Sequence, residues 1–105
     1  MEKLTFTLAA PRPAGGNRQQ IIVGVVASGN LEVLAERNQP ADVCTIEIAT
    51  TAHGFGAVWQ AVVDDFVARR AAGGLALSIN DGGARPDTVA LRLAQAVRMI
   101  EEDGQ

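Results

Sequence analysis

Residues 43–72 read VCTIEIATTAHGFGAVWQAVVDDFVARRAA, and the hydrophobic period changes inside this stretch. The first eight residues alternate. Cys44, Ile46, Ile48 and Thr50 share one face, while Val43, Thr45, Glu47 and Ala49 share the other. A period of two belongs to a strand with one buried face, and the Cys-Ile-Ile face is the expected core side. From Gly56 the spacing lengthens. Trp59, Val62, Val63, Phe66 and Val67 recur at helical intervals, with Asp64 and Asp65 opposite them. The spacing predicts a helix over 56–72. Arg69 and Arg70 would sit in its last turn, where cations suit the helix dipole, and Gly73-Gly74 would stop it.

Upstream of the switch the segments read as strands. Leu4, Phe6 and Leu8 alternate with Thr5 and Thr7. Residues 10–19 hold two prolines and a Gly-Gly pair, which makes them a loop. Residues 20–27, QIIVGVVA, form a continuous apolar run and are expected to be a central strand. The next strand puts Leu31, Val33 and Ala35 on one face, with Glu32, Leu34 and Glu36 on the other. Residues 38–42, NQPAD, are turn chemistry. Downstream, residues 75–80, LALSIN, alternate again, and residues 81–84, DGGA, make a turn. Pro86 and Asp87 open a second helix, with proline in a tolerated first-turn position. Its stripe is Val89, Leu93, Val97 and Ile100, supported by Leu91, Ala96 and Met99.

The order is therefore ββββ-α-β-α. Four early strands and two late helices imply an α+β two-layer sandwich, a mostly antiparallel sheet with both helices on one face. The 105 residues suit a single domain spanning 1–105.

Composition removes several classes of function. At 48% hydrophobic residues the chain has enough Val, Ile, Leu and Ala to fill one core. A net charge of -3, with its nine Lys and Arg scattered, argues against a nucleic-acid partner, which needs a concentrated basic face. One cysteine, Cys44, excludes an internal disulfide and any cysteine-based zinc site, and its place in a strand-like run reads as a buried thiol. The start, MEKLTFTLAAPRP, lacks the apolar run of a signal peptide, and no stretch approaches the ~18 apolar residues of a membrane span. A cytoplasmic location is expected.

Candidate chemistry is sparse. His53 is the sole histidine, and it lies before the first helix with no nucleophile beside it in sequence. Asp64 and Asp65 are adjacent on a helix, so they point about 100° apart and read as a solvated face. Asp81-Gly82-Gly83 is a fragment of a phosphate loop, without the Lys-Ser/Thr such a loop needs, and reads as a strand-to-helix turn. No metal ligands cluster. Ser28 stands out by position. In residues 25–34, VVASGNLEVL, two apolar runs flank Ser28-Gly29-Asn30, the pattern of a hairpin whose tip exposes a hydroxyl. As a nucleophile Ser28 would need a base, and only His53 is available. The Gly-x-Ser-x-Gly elbow is missing, since position 26 is Val. The residues alone leave two readings open: Ser28 is turn chemistry, or it is there to be modified.

Three segments, MEKLTF at the start, VVASGNLEVL, and residues 77–97, LSINDGGARPDTVALRLAQAV, together resemble the delta subunit of malonate decarboxylase, an acyl carrier family. The acyl carrier subunit of citrate lyase is a more distant likeness, through its Ser-Gly hairpin and Asp-x-Gly-Ala turn. The resemblance covers nearly the whole chain. The family's carrier serine precedes a glycine, as Ser28 precedes Gly29. Asn30 stands where the family has an acidic residue. The resemblance implies that Ser28 bears phosphoribosyl-dephospho-CoA, a phosphopantetheine-type arm, through a phosphodiester, flanked by Gly29 and Asn30. It implies acetyl and malonyl thioesters on that arm, acyl transferase and decarboxylase partner subunits, a prosthetic-group transferase, a malonyl transferase, and a role in malonate catabolism. The carrier itself would be non-catalytic. Two other readings are an unmodified scaffold or regulatory subunit, and a small hydrolase using Ser28 with His53.

Overall fold

The structure, a computed structural model, describes residues 1–25, 27 and 29–102. It contains β1 (Glu2–Ala9), β2 (Gln20–Gly24), β3 (Leu31–Arg37), β4 (Val43–Thr50), α1 (Gly56–Arg69), β5 (Leu75–Asp81) and α2 (Pro86–Glu101). The ββββ-α-β-α order is the one expected. The five strands form one sheet in the order β1-β4-β5-β3-β2. All neighbours are antiparallel except β4 and β5, the pair that α1 connects.

The alternating pattern lines up across the sheet as rows. Phe6, Ile46, Leu77, Ala35 and Ile21 face one another in one row, and Leu4, Ile48, Ile79, Val33 and Val23 in the next. Both helices close over this face. α2 packs on β2 and β3, α1 on β1, and the two helices touch each other. Trp59, Val63, Phe66 and Val67 of α1 and Val89, Leu93, Ala96, Val97 and Ile100 of α2 are buried. The opposite face of the sheet, with Lys3, Thr5, Thr7 and Glu47, is exposed. Apolar area removed from water on one side of the sheet is thus the main force holding the two layers together.

Four local expectations fail, each for a physical reason. The run at 20–27 is an edge strand, not a central one, and Ile22 is 56% exposed on its outer side. Its apolar character serves one covered face only. That strand also stops at Gly24, whose φ of 84° ends the extended run, and whose missing Cβ leaves room for the carbonyl of Leu31. α1 ends at Arg69, before the Gly73-Gly74 pair. Gly73 instead packs its backbone against Arg12, Pro13 and Ala41, accepting a hydrogen bond from Ala14 and donating one to Arg12. Leu91 is exposed, because it lies off the buried stripe of α2.

Besides its backbone bonds to Gly73, the proline- and glycine-rich loop 10–19 is pinned by one side chain. Arg37 donates to the carbonyls of Arg18 (2.9 Å), Ala14 (2.9 Å) and Gly15 (2.7 Å), and to that of Ile100 at the end of α2 (3.1 Å).

Candidate functional site

β2 and β5 run in the same direction, since each is antiparallel to β3, and β4 is parallel to β5. The C-terminal ends of all three therefore lie at one end of the sheet. The connections leaving them gather there: residues 25–30, the segment after Thr50, and the Asp81-Gly82-Gly83 turn.

Gly24 faces Glu32 in the β2–β3 ladder, so the hairpin has a connection of six residues, wider than a two-residue loop. A β-turn closes its tip. The Asn30 N–H donates to the Ala27 carbonyl at 2.9 Å, and Gly29, at the third position of that turn, has a φ of 75°. The sequence reading located this tip correctly, although the strands stop short of it. Ser28, the predicted site residue, lies outside the described residues, as does Val26. Its neighbours define the surroundings. A side chain added at Gly29 would meet nothing within 4 Å, so the tip is sterically open on that side.

The turn is stitched to the second glycine motif. The Gly29 N–H donates to the Gly82 carbonyl at 2.9 Å, and the Gly82 N–H donates to the Asn30 carbonyl at 2.8 Å. A Cβ at position 82 would collide with the Ala27 carbonyl, so this approach requires glycine. Two motifs more than fifty positions apart in sequence thus make one piece of structure.

Beneath them the apolar rows of the sheet end in a polar one, where Thr50 faces Asp81 across the β4–β5 ladder. Asp81 is buried and both its carboxylate oxygens are bonded. Thr50 Oγ1 donates to Oδ2 at 2.7 Å, and the Ala84 N–H donates to Oδ1 at 2.8 Å. The Ala52 N–H in turn donates to Thr50 Oγ1 at 3.1 Å. This network fixes the exits of β4 and β5, which position the turn that Gly82 holds. Sequence reasoning read residues 81–84 as a simple turn and missed the buried carboxylate. An aspartate next to two glycines was the available signal.

Arg92 of α2 reaches the turn. Its Nη2 lies 3.4 Å from Asn30 Oδ1, its Nη1 donates to Gln95 Oε1 at 3.0 Å, and its Nε is buried without a partner. Asn30 Oδ1 also accepts the Leu31 N–H at 2.8 Å. Asn30 therefore fixes the end of the turn with its side chain. Nothing in the local pattern marks Arg92, which lies between two leucines of a helix that also carries Arg98.

The remaining candidates separate from this site. Cys44 is fully buried, and burial pushes its thiol up to about 11, so it is protonated and inert at neutral pH. Asp64 and Asp65 are exposed and engage neighbours on α1: Gln60 donates to Asp64 at 2.9 Å, and Arg69 to Asp65 at 2.7 Å. His53 is exposed at the same end of the sheet and, among the described residues, makes no hydrogen bond or ion pair. No group of three or more His, Cys, Asp or Glu side chains that could hold a metal occurs among the described residues. No described helix is long and apolar enough to cross a membrane.

An arm joined at this tip through a phosphodiester would bring negative charge to an open turn. The open flank of Gly29 and the under-coordinated guanidinium of Arg92 fit such a group.

Comparison with known proteins covers nearly the whole chain. Residues 18–100 match the model of a family described as the malonate decarboxylase delta subunit (MdcD). A malonate decarboxylase acyl carrier protein from Bradyrhizobium diazoefficiens is 62% identical over 105 residues and covers both chains completely. One from Acinetobacter calcoaceticus is 48% identical, covering 96% of this chain and 98% of its own. Among solved structures, the crystal structure of a Pseudomonas malonate decarboxylase hetero-tetramer in complex with malonate contains a chain with the same fold. It superposes with a TM-score of 0.84 at 36% identity, over 95% of this chain and 99% of that one.

Proposed function

The chain belongs to the malonate decarboxylase delta subunit family, and from that membership we propose that Ser28 is the attachment point of a phosphoribosyl-dephospho-CoA arm, with Gly29 and Asn30 shaping its turn. Joined there by a phosphodiester, the group would supply a thiol able to hold acetyl or malonyl as a thioester. The whole chain then acts as one carrier domain in the cytoplasm. Acyl transferase, decarboxylase and malonyl transferase subunits perform the chemistry, and a prosthetic-group transferase installs the arm.

The observation that carries this reading is the stitched turn. Hydrogen bonds to Gly82 fix the backbone at Gly29 and Asn30, directly after position 28, while the flank at Gly29 stays open. A fixed anchor under a mobile arm suits a carrier, because tethering raises the effective concentration at each partner site to roughly millimolar. Gly29 and Asn30 need only present the hydroxyl, since an installing enzyme brings its own base. Arg92 lies beside Asn30, where it would meet the negative charge of the phosphodiester. Nothing among the described residues offers an activated nucleophile of its own: Cys44 is buried and His53 stands without a partner.

Intact mass spectrometry after co-expression with the installing transferase tests the proposal. The mass should exceed that of the sequence by the arm, fragment spectra should put the addition on Ser28, and Ser28→Ala should abolish it while the fold survives. Ser78, inside β5, should stay bare. An unmodified chain under those conditions favours a scaffold role, and turnover by the isolated chain favours a hydrolase.

A further inference from the structure

A cleft of about 340 Å³ opens between the first turns of α1 and α2, at the same end of the sheet as the stitched turn. Phe55, Val58, Trp59, Val62 and Val89 form its apolar walls. Phe55 and Val58 are 50% and 44% exposed, so two large apolar side chains stand at its rim facing water. The cleft is continuous with the turn through two consecutive residues. Gly82 exchanges hydrogen bonds with Gly29 and Asn30, and Gly83 lines the cleft. Consecutive Cα atoms are about 3.8 Å apart, well within reach of an arm many bonds long. The volume is at the lower end of small-molecule sites, roughly 300–1,000 Å³.

We propose that this cleft shelters the distal end of the chain's own arm, and that it takes the neutral acetyl thioester in preference to the malonyl one. The proposal rests on the carrier reading above. The preference follows from the lining. Asp81 borders the cleft, and both its oxygens already accept hydrogen bonds, from Thr50 and Ala84. A malonyl carboxylate entering there would lose water beside a second carboxylate, and both effects oppose entry. The lining cation, Arg85, is turned outward: its side chain is 85% exposed and its Nε lies 3.6 Å from Asp87. An acetyl group carries no charge to desolvate and matches the apolar walls. The cleft would hold the acetyl state back from water and leave the malonyl state free for a partner.

The test uses the full chain with its arm, the load first verified by intact mass on Ser28. If the arm is missing or elsewhere, the carrier reading fails before the cleft is examined. With the acetylated arm in place, cleavage of the thioester by hydroxylamine is compared with that of free acetyl-dephospho-CoA. Cleavage should be slower on the carrier by about five-fold, the protection expected when the sheltered state outweighs the open one about four to one. The malonyl thioester should react at the free rate. Trp59, the sole tryptophan and part of the cleft wall, should change its emission on acetylation. Val58→Asp and Phe55→Ala alter half-exposed positions, so the fold should survive, and both should erase the protection. Unprotected acetyl thioester, equal protection of malonyl, or protection that persists in both variants would overturn the proposal. So would a result in which both variants weaken binding of partner subunits and leave thioester reactivity unchanged, which would assign the cleft to a partner.

Discussion

Two arginines near opposite ends of the sheet use the same side chain differently. Arg37 spreads its guanidinium over four carbonyls, three from loop 10–19 and one from Ile100 of α2. Its planar fork of donors is matched almost completely. Arg92 holds Gln95 at 3.0 Å, reaches Asn30 only at 3.4 Å, and keeps a buried Nε without a partner. One loop is held by a side chain in addition to backbone bonds to Gly73. The other, at the tip beside Ser28, is locked by backbone bonds to Gly82, leaving the nearby cation with capacity to spare. A saturated arginine reads as structural, and an under-used one beside an open turn reads as available to a ligand.

The largest effect expected from testing this contrast is at Arg37. Arg37→Ala should cost about 2–3 kcal/mol in urea denaturation, since several part-buried carbonyls lose a charged donor together. A loss below about 1 kcal/mol would show that the loop holds itself. Gly82→Ala comes next, at about 1–2 kcal/mol, because the new Cβ must push the Ala27 carbonyl away. It should also slow installation of the arm, measured by the rate of mass gain. An unchanged rate would mean that the stitching to Gly82 does not position the tip. The smallest stability effect belongs to Arg92→Gln, under about 1 kcal/mol, since its present bonds are few, one of them long at 3.4 Å. Its consequence should appear instead in arm installation, slowed about ten-fold by loss of one charge-assisted contact and partly restored by Arg92→Lys. If Arg92→Gln destabilises as much as Arg37→Ala, the two arginines are alike and the contrast collapses.

Most of the fold was legible because the signals are local. The switch of period between Thr50 and Gly56 separated sheet from helix, and the inward faces of β3, β4 and β5 followed from alternation alone. What failed depended on distant residues. That β2 is an edge strand is decided by β3 and β5 pairing with each other, which no property of QIIVGVVA records. That α1 ends at Arg69 is decided by Gly73 being needed against Pro13 and Ala41. At the site, the Ser-Gly-Asn tip was visible from its turn chemistry. Its partner Gly82 was visible as a motif, but their contact was not, because nothing in either segment encodes a meeting across fifty positions. Arg92 and the Asp81–Thr50 bond were illegible for the same reason.

The strand order has a consequence for how the chain is made. Among the described strands, β2 and β3 are the only pair in the sheet joined by a direct hairpin. Every other ladder waits: β1 for β4, and both β3 and β4 for β5, which leaves the ribosome some thirty residues after β4 begins. Closing such distant pairs is slow, so the sheet as a whole should assemble late. The β2–β3 hairpin, closed by the turn between Ala27 and Asn30, can form as soon as it emerges. Its fastening to Gly82 cannot, because Gly82 follows β5 directly. Nascent chains would therefore present the tip as a loose loop, and only a finished sheet would offer a maturation enzyme the fixed one.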